Sequence, residues 1–141
     1  MTLATAMSQR SRCGKGVGSV IVSSEERVVA TGYNGPPSGW QQQSESCQDF
    51  CPRLNQDPKP ASYDSCPSNH AEINALLWSS RQERLGGRIY ITTAPCMSCA
   101  KAIANSGLAE VIWNTTEEKP HRSPREVQEF LWDCGLGAGE I

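Results

Sequence analysis

The stretch Arg88-Ile-Tyr-Ile-Thr-Thr-Ala-Pro-Cys-Met-Ser-Cys99 predicts a short β-strand that leads directly into a helix. In its first six residues, apolar and polar side chains alternate and β-branched side chains are frequent, which is typical of a strand. Pro95 stands where helices open, and the helix that follows, over residues 97–105, is closed by Gly107 as a C-cap. A strand joined to a helix in this way is typical of α/β proteins.

Helices and strands also alternate on both sides of this stretch. Near the start of the chain, a polar segment separates two β-branched runs, which predicts a β-hairpin. Further along, apolar residues at one-face spacing predict a helix that begins at Ala71 and ends near Gly86. The other predicted elements are an N-terminal helix within residues 1–12, hairpin strands over 18–23 and 27–33, a strand over 109–113 and a last helix over 124–133. Together they predict right-handed crossovers onto one mixed sheet with helices packed against it.

The composition fits one compact domain and excludes several classes of protein. A chain of 141 residues buries a real core but is too short for two ordinary domains, so we expect a single domain over residues 1–141. No apolar run approaches the roughly 18 to 20 residues that span a bilayer, and no secretory signal is visible. We therefore expect a cytoplasmic protein with no membrane partner. A net charge of −2 offers no basic surface, which argues against nucleic acid as a partner.

Seven cysteines are many for a chain in a reducing compartment, where they indicate metal binding or catalysis before disulfides. Cys47, Cys51 and Cys66 lie in a Pro-rich region, residues 35–68, that shows neither helical nor strand periodicity. A structureless stretch of this length is uncommon in a compact domain unless a function or a cross-link orders it. We therefore expect a metal to staple this loop insert.

His70 and Glu72 at one predicted helix start, and Cys96 and Cys99 at another, form the candidate catalytic set. Zinc that activates water needs three protein ligands and one open position, and one His with two Cys supplies those ligands. Glu72 follows His70 by two residues, so its carboxylate can approach water at the open position without being a ligand, which suits a proton carrier. The positive end of the helix dipole also favours the thiolate forms of both cysteines.

Each half of this set has an ordinary explanation when it is taken alone. A Cys-x-x-Cys pair is also half of a structural zinc site or a redox pair, and His-x-Glu is common by chance. A strand, a Pro-Cys-x-x-Cys helix start and a His-x-Glu helix one crossover earlier together match the signature of the zinc-dependent nucleobase deaminases. The combination therefore favours a catalytic zinc over a structural one.

Over nearly its whole length the sequence resembles the deoxycytidylate deaminases, within the cytidine deaminase superfamily. The matching stretches are Ser11-Arg-Cys13, Val17-Gly-Ser-Val-Ile-Val22, Thr31-Gly-Tyr-Asn-Gly35, His70-Ala-Glu-Ile-Asn-Ala75, Ala94-Pro-Cys-Met-Ser-Cys-Ala-Lys-Ala-Ile103 and Ser106-Gly107. The His-Ala-Glu and Pro-Cys-x-x-Cys motifs are shared across the superfamily. Gly-Tyr-Asn-Gly and the residues around Asn74 narrow the resemblance to the branch that acts on nucleotides. The implied fold is a three-layer α/β/α arrangement, with a mixed sheet of about five strands and helices on both faces.

The resemblance implies hydrolytic deamination of dCMP to dUMP and ammonia, which supplies dUMP for thymidylate synthesis. In that case zinc is held by His70, Cys96 and Cys99. Glu72 takes a proton from water, delivers it to N3 of cytosine and passes a proton to the departing ammonia. By the same analogy Asn34 contacts the sugar and the backbone N–H of Ala71 faces the base carbonyl. Asn-Gly is also the commonest hairpin dipeptide, which gives Asn34 an alternative role in a turn.

The resemblance also implies contacts to the phosphate and to regulators. Candidate donors to the substrate monophosphate are Ser11, Arg12, Asn74 and Arg81, each of which is equally well explained as a solvated surface residue. Family members commonly form hexamers and respond to dCTP and dTTP, often with magnesium on the effector. We therefore expect a homo-oligomer, with effector or subunit contacts at Arg81, Trp78 and Tyr33. Core packing explains Trp78 equally well.

Cys13, Cys47, Cys51 and Cys66 stand where several bacterial and phage members of the family carry Cys or His for a second zinc. Four thiolates close a tetrahedral site, so this metal is expected to fold the loop rather than to react. Unliganded or disulfide-bonded cysteines are the alternative. Cys134 has no partner in this scheme and is expected to be a core thiol.

Two other functions fit parts of the sequence. The first is a deaminase of the same superfamily that acts on tRNA or on another nucleobase substrate. A polynucleotide substrate such as tRNA requires a basic face, whereas Arg10, Arg12 and Lys15 form only a small cluster. A non-catalytic zinc-binding module has no use for a carboxylate beside an open coordination position, which is where Glu72 is expected to lie.

Overall fold

The computed structural model describes residues 1–40, 47, 51, 66–114, 116 and 123–141. Most of the loop insert predicted over residues 35–68 therefore lies outside the described residues. The elements in chain order are α1 (Thr2–Ser8), β1 (Gly18–Val22), β2 (Val28–Tyr33), α2 (Ala71–Leu77), α3 (Arg81–Arg84), β3 (Arg88–Ile91), α4 (Met97–Ala104), β4 (Glu110–Trp113), α5 (Pro124–Asp133) and β5 (Gly137–Glu140). None of the described helices has the length and apolar character needed to cross a membrane.

The five strands form one mixed sheet, as predicted, and their order in it is β2-β1-β3-β4-β5. β1 pairs antiparallel with both β2 and β3, whereas β4 pairs parallel with both β3 and β5. The parallel half is made by crossovers through α4 and α5. Each crossover brings the chain back to the end of the sheet at which the preceding strand began, so the next strand runs parallel to it. The antiparallel half is the predicted hairpin of β1 and β2.

Helices cover both faces of the sheet, which confirms the three-layer arrangement. Gly18 and Ser19 are successive residues of β1, so they face opposite sides. A Cβ at Gly18 would lie 2.0 Å from the carbonyl oxygen of Ala4 in α1. Ser19 instead donates a hydrogen bond to the carbonyl of Ala71 in α2. α1 therefore packs on one face and α2 on the other.

The main core lies on the face that carries α2. Ile21 follows Ser19 by two residues and shares its face, and its partner across β3 is Ile89. The same cluster continues through β4, α4 and α5. Its large members are Ile21, Ile89, Ile91, Val111, Trp113, Ile103 and Leu131. This core anchors α4, the helix that begins with the two candidate cysteine ligands.

The helix predicted from Ala71 to Gly86 is interrupted after Leu77. Ser80 caps a separate short helix, α3, through a capping box with Glu83. The Ser80 Oγ accepts from the Glu83 N–H at 3.2 Å, and the Glu83 carboxylate accepts from the Ser80 N–H at 2.8 Å. This local cap competes with continuation of α2 and turns the chain.

Two side chains are exposed: Cys134, which was expected to be a core thiol, and Trp78, for which core packing was the alternative to a subunit or effector contact. Trp78 is the C-cap of α2 and is 79% exposed, so the alternative that it packs in the core of its own chain is wrong. The early end of α2 explains this, because the chain turns away from the sheet there. Cys134 is also exposed, because it follows α5 as the C-cap, one turn beyond the buried Leu131.

Candidate metal and active site

His70, Cys96 and Cys99 come together where two helices begin. His70 is the N-cap of α2, Cys96 is the N-cap of α4, and Cys99 lies in the first turn of α4. His70 Nδ1 lies 3.4 Å from Cys96 Sγ and 3.3 Å from Cys99 Sγ. Within the described part of the chain, these three are the one group of His, Cys, Asp or Glu side chains whose ligand atoms all lie within 4.8 Å of one another.

The spacing of these atoms fits one tetrahedral zinc ion. Zinc lies about 2.0 Å from a His nitrogen and about 2.3 Å from a Cys sulfur, which places nitrogen and sulfur ligands about 3.5 Å apart on a tetrahedron. The two observed nitrogen-to-sulfur distances are only slightly shorter than this. One imidazole and two thiolates make a three-ligand set, which is the number that catalytic zinc sites use.

The two cysteines differ in acidity because they share a hydrogen bond. The bond from Cys99 lowers the pKa of Cys96 to about 3, with a smaller contribution from His70. The same bond, together with burial and the nearby Glu72 carboxylate, raises the pKa of Cys99. Cys96 is therefore held as a thiolate, which is the form that binds zinc.

Glu72 lies beside this group without belonging to it. It occupies the first turn of α2 and is only 3% exposed. Its carboxylate is within hydrogen-bonding reach of the Cys99 thiol, which it affects electrostatically. A buried carboxylate next to three ligand atoms is placed to exchange protons with a molecule bound there.

Ser19 and Gly32, which were not predicted as site residues, allow α2 to pack closely on the sheet. The fully buried Ser19 donates from Oγ to the Ala71 carbonyl at 2.8 Å. Gly32 is its partner in β2, and a Cβ there would lie 2.1 Å from the same carbonyl oxygen and 2.7 Å from the nitrogen of Ala75. Ser19 stands out as the one hydroxyl residue in the apolar strand Gly18–Val22, which was a usable signal.

Thr116 supports the segment that leads to Cys96. Its Oγ1 accepts a hydrogen bond from the Ala94 N–H at 2.8 Å and donates to the Asn114 carbonyl at 2.8 Å. The Oγ1 of Thr93 lies 3.2 Å away. No local pattern in the sequence indicates this role, because it depends on β3 and β4 lying side by side.

Asn34 ties the end of β2 to the loop before β1. Its Oδ1 accepts from the Val17 N–H at 2.7 Å, and its Nδ2 donates to the Lys15 carbonyl at 2.8 Å. Its own carbonyl accepts from Ser11 Oγ at 2.7 Å. Two residues predicted to bind substrate, Asn34 and Ser11, are therefore in direct contact.

Asn74 joins α2 to the end of β2. Its Nδ2 donates to the Tyr33 carbonyl at 2.8 Å, and its Oδ1 accepts from Asn69 Nδ2 at 3.4 Å. The backbones of Asn69 and Gly35 exchange two hydrogen bonds, of 3.1 and 2.9 Å. The residue immediately before His70 is thus fixed against β2.

The other predicted contact residues lie near the surface. Arg12 and Arg81 are exposed, and Arg81 Nη1 donates to the Asn105 carbonyl at 3.4 Å. The Tyr33 ring lies under the Arg10 guanidinium at 5.7 Å. Tyr33 and Trp78 line the same cavity of about 420 Å³. Its other lining residues include Pro36, Pro37, Asn69, Asn74 and Leu77.

Cys13, Cys47 and Cys51 of the second cysteine set lie near one another but do not form a compact group of ligand atoms. The Cys13 and Cys47 side chains are hydrogen-bonded, and Cys51 is near enough to act electrostatically on Cys47. Burial is the main reason that the pKa of Cys47 rises to about 11. The Cys47 N–H also donates to the Arg12 carbonyl at 2.9 Å. In the described residues, these cysteines and Cys66 do not bring three ligand atoms within 4.8 Å of one another.

Comparison with known proteins places this site in a family. The model of the cytidine and deoxycytidylate deaminase zinc-binding region matches residues 1–115. The chain is 38% identical to the deoxycytidylate deaminase of Mycobacterium phage D29, over 79% of this chain and 88% of that protein. It is 41% identical to the deoxycytidylate deaminase of Saccharomyces cerevisiae, over 96% of this chain but only 41% of that protein.

A solved structure shares the fold. The dCMP deaminase of cyanophage S-TIM5, in complex with dCMP and dUMP, superposes with a TM-score of 0.74 and 25% identity, over 99% of this chain and 92% of that one. The region matched by the family model contains the three clustered donors and Glu72. The chain therefore belongs to the cytidine and deoxycytidylate deaminase family.

Proposed function

We propose that this chain catalyses the hydrolytic deamination of dCMP to dUMP and ammonia, and so supplies dUMP for thymidylate synthesis. The observation that carries the proposal is a buried carboxylate, Glu72, beside three zinc donors of which it is not one. The named activity of the phage and yeast relatives supports dCMP as the substrate. The cyanophage structure holds both dCMP and dUMP, which supports the same choice.

The chemistry assigns one role to the donors and another to Glu72. His70, Cys96 and Cys99 would hold zinc, which when bound lowers the pKa of water and so supplies a nucleophile at neutral pH. Glu72 accepts a proton from the water and delivers it to N3 of cytosine while the oxygen bonds to C4. A further proton, from the hydroxyl now bonded to C4, passes through Glu72 to the amino group, which leaves C4 as ammonia. Burial of Glu72 keeps bulk water from competing for these transfers.

The predicted substrate contacts belong to the same proposal. We assign the base carbonyl to the Ala71 N–H, the sugar to Asn34, and the phosphate to Ser11, Arg12 and Asn74. Ser11 and Asn34 are hydrogen-bonded to each other, and Asn74 is bonded to the end of β2. These polar groups therefore surround the end of β2, next to the segment that precedes His70, which supports a shared binding site.

Ammonia release from four substrates tests the reaction. We expect rapid release from dCMP, much slower release from cytidine, and none above background from deoxyadenosine nucleotides or tRNA. Preferential release from tRNA would contradict the proposal and favour the polynucleotide deaminase. A zinc-loaded, folded protein that releases no ammonia from any of them would favour a non-catalytic zinc module.

We also propose a second, structural zinc held by Cys13, Cys47, Cys51 and Cys66. The contact of Cys13 with Cys47, and the proximity of Cys51, support a shared ligand set. The expected zinc content is two per chain, and Cys51→Ser should lower it to one. We expect that variant to keep Glu72-dependent turnover with a raised KM, since loss of the structural metal should weaken nucleotide binding indirectly. One zinc per chain in a fully active protein would contradict the second site.

Regulation and assembly form the last part of the proposal. We propose a cytoplasmic homo-oligomer, a hexamer, switched by dCTP and dTTP, with magnesium on the effector and with Tyr33, Trp78 and Arg81 at effector or subunit contacts. The cavity that Tyr33 and Trp78 share has a volume of about 420 Å³, within the range of small-molecule sites. None of the seven cysteines, all of which lie among the described residues, forms a disulfide, which suits a reducing compartment. Strands from β1 to β5 share one sheet, which supports a single domain over residues 1–141.

A further inference from the structure

Arg84 lies between the ends of the two helices that carry the candidate metal ligands. It is the last residue of α3, and its side chain is half-buried. Its Nη1 donates to the Leu76 carbonyl at 3.0 Å and also to the Ser79 carbonyl, both at the C-terminal end of α2. Its Nε donates to the Ser106 carbonyl at 3.0 Å, just beyond the C-terminal end of α4.

The same two helices lead from Arg84 to the metal ligands. α2 has seven residues and α4 has eight, so each is about 10 to 12 Å long at 1.5 Å per residue. His70 stands at the far end of α2, and Cys96 stands at the far end of α4. A short helix is stiff over this length, so a shift at its C-terminal end also moves the ligand at its N-terminal end.

We propose that Arg84 is a positioning residue that holds α2 and α4 at the spacing at which His70, Cys96 and Cys99 share one metal ion. This inference rests on the metal role proposed above for those three side chains. Arg84 acts through the helices and touches neither the metal ligands nor Glu72 in any contact that the structure shows.

An arginine suits this position better than any other residue. Its planar guanidinium presents several donors in a fixed fork, so it can bind carbonyls of two helices at once. The last carbonyls of a helix carry partial negative charge, which favours a cation there.

Neighbouring contacts of α3 do not replace this link. The Arg81 side chain donates to the Asn105 carbonyl, and the Gly86 N–H donates to the Gly107 carbonyl at 2.8 Å. The first contact joins α3, and the second joins the residues just after α3, to the segment after α4. Neither reaches α2, so among these three contacts only that of Arg84 includes both helices.

The test measures the metal site directly, with Co²⁺ as the probe. Every protein in the test, the wild-type reference included, carries Cys51→Ser, so that the second cysteine set does not contribute to the signal. Bound metal is removed from the full chain, Co²⁺ is titrated back, and its visible absorption reports tetrahedral sulfur coordination. We expect Arg84→Met to weaken the apparent Co²⁺ affinity by about tenfold or more and to change the absorption bands. Arg84→Lys should weaken it less, because an ammonium can still reach one of the carbonyls.

Val20→Ala is the control for general loss of stability, because Val20 is buried in β1 on the face that carries α1, outside the core that anchors α4. We expect it to lower the melting temperature while its Co²⁺ affinity stays within about twofold of the wild type, as for a site whose ligands have not moved. Unchanged affinity and absorption in a folded Arg84→Met variant would overturn the inference, as would an equal weakening in Val20→Ala.

Two further outcomes are also decisive. If Arg84→Met does not fold, Arg84→Lys carries the test: weakened affinity supports the inference and wild-type affinity overturns it. If the wild-type protein takes up no Co²⁺ with sulfur ligation, the proposed metal site fails, and this inference fails with it. If the wild type takes up Co²⁺ normally and the Arg84 substitutions do not change its affinity, this inference is overturned while the proposed metal site stands.

Discussion

Gly32 is the residue that most directly allows α2 to approach the sheet. Any Cβ at this position would meet the backbone of α2, 2.1 Å from the Ala71 carbonyl oxygen, which cannot move without displacing the helix. We expect Gly32→Ala to lower the free energy of unfolding by about 3 kcal/mol, at the upper end of the cost of overpacking. The urea dependence of unfolding measures this, and zinc content measured on the same sample should fall as well.

Gly39→Ala is the matched control. A Cβ at Gly39 meets no atom within 4 Å, so this change should alter the free energy of unfolding by less than about 0.5 kcal/mol. Equal stability of the two variants would show that α2 tolerates a larger separation from the sheet than its contacts indicate.

At the residue scale, the sequence predicted groups that act through local motifs. His70, Cys96 and Cys99 were predicted as neighbours, and the structure brings them together. Ser19 and Thr116 were not predicted, because their partners are distant in the chain. Ser19 and Ala71, for example, are 52 positions apart, and such a contact follows only from the packing of α2 against β1.

At the element scale, Ile103 anchors α4, the helix that begins with the cysteine ligands. Ile103 is fully buried in the main core. We expect Ile103→Ala to lower the free energy of unfolding by about 2 to 5 kcal/mol, through lost burial and the cavity that remains. Thermal and urea unfolding measure the effect.

Lys101→Ala, on the exposed side of the same helix, is the control, and its effect should stay below about 0.5 kcal/mol. A cost below about 1 kcal/mol for Ile103→Ala would mean that α4 is held by contacts other than its core face.

The predictability of each element depended on where its stabilising contacts lie. The last helix was predicted at its observed bounds, because Ser123 and Pro124 give a local start signal. The break between α2 and α3 was missed, although Ser80 and Glu83 have the spacing of a capping box, a local signal for a new helix start. β5 has the sequence Gly-Ala-Gly-Glu, without β-branched residues, and exists because β4 offers it a partner edge.

At the scale of the whole molecule, Trp78 is the most exposed large hydrophobic side chain among the described residues. A large aromatic residue that is 79% exposed, next to Leu77 at 69%, is typical of an interface anchor. We expect Trp78→Ser to weaken self-association by about thirtyfold, as for an interface residue worth about 2 kcal/mol. Sedimentation velocity over a range of concentrations measures this.

Trp132→Ser provides a matched control, because Trp132 is also exposed, at 55%, but lies on α5. We expect it to leave the assembly unchanged. If the Trp78 variant has the same oligomer distribution as the wild type, or if both variants dissociate equally, Trp78 is not at a subunit contact.

The sequence predicted a mixed sheet but not its strand order. Placing β1 between β2 and β3 requires β3 to pair with the hairpin strand that precedes it by more than sixty residues in the chain, and no local pattern specifies that register. Most of the loop insert predicted over residues 35–68 lies outside the described residues, so its metal staple stays a prediction.

Zinc content and turnover measured together on Glu72→Gln test the central claim most directly. The amide keeps the shape of the buried side chain but cannot accept a proton at neutral pH. The account predicts wild-type zinc content and a kcat for ammonia release from dCMP that falls by about 10²-fold to 10⁴-fold. Glu129→Gln, a change of the same chemistry on exposed α5, should leave both unchanged. Near-normal turnover by a zinc-loaded Glu72→Gln protein, or loss of zinc with the carboxylate, would contradict a proton carrier that is not a ligand.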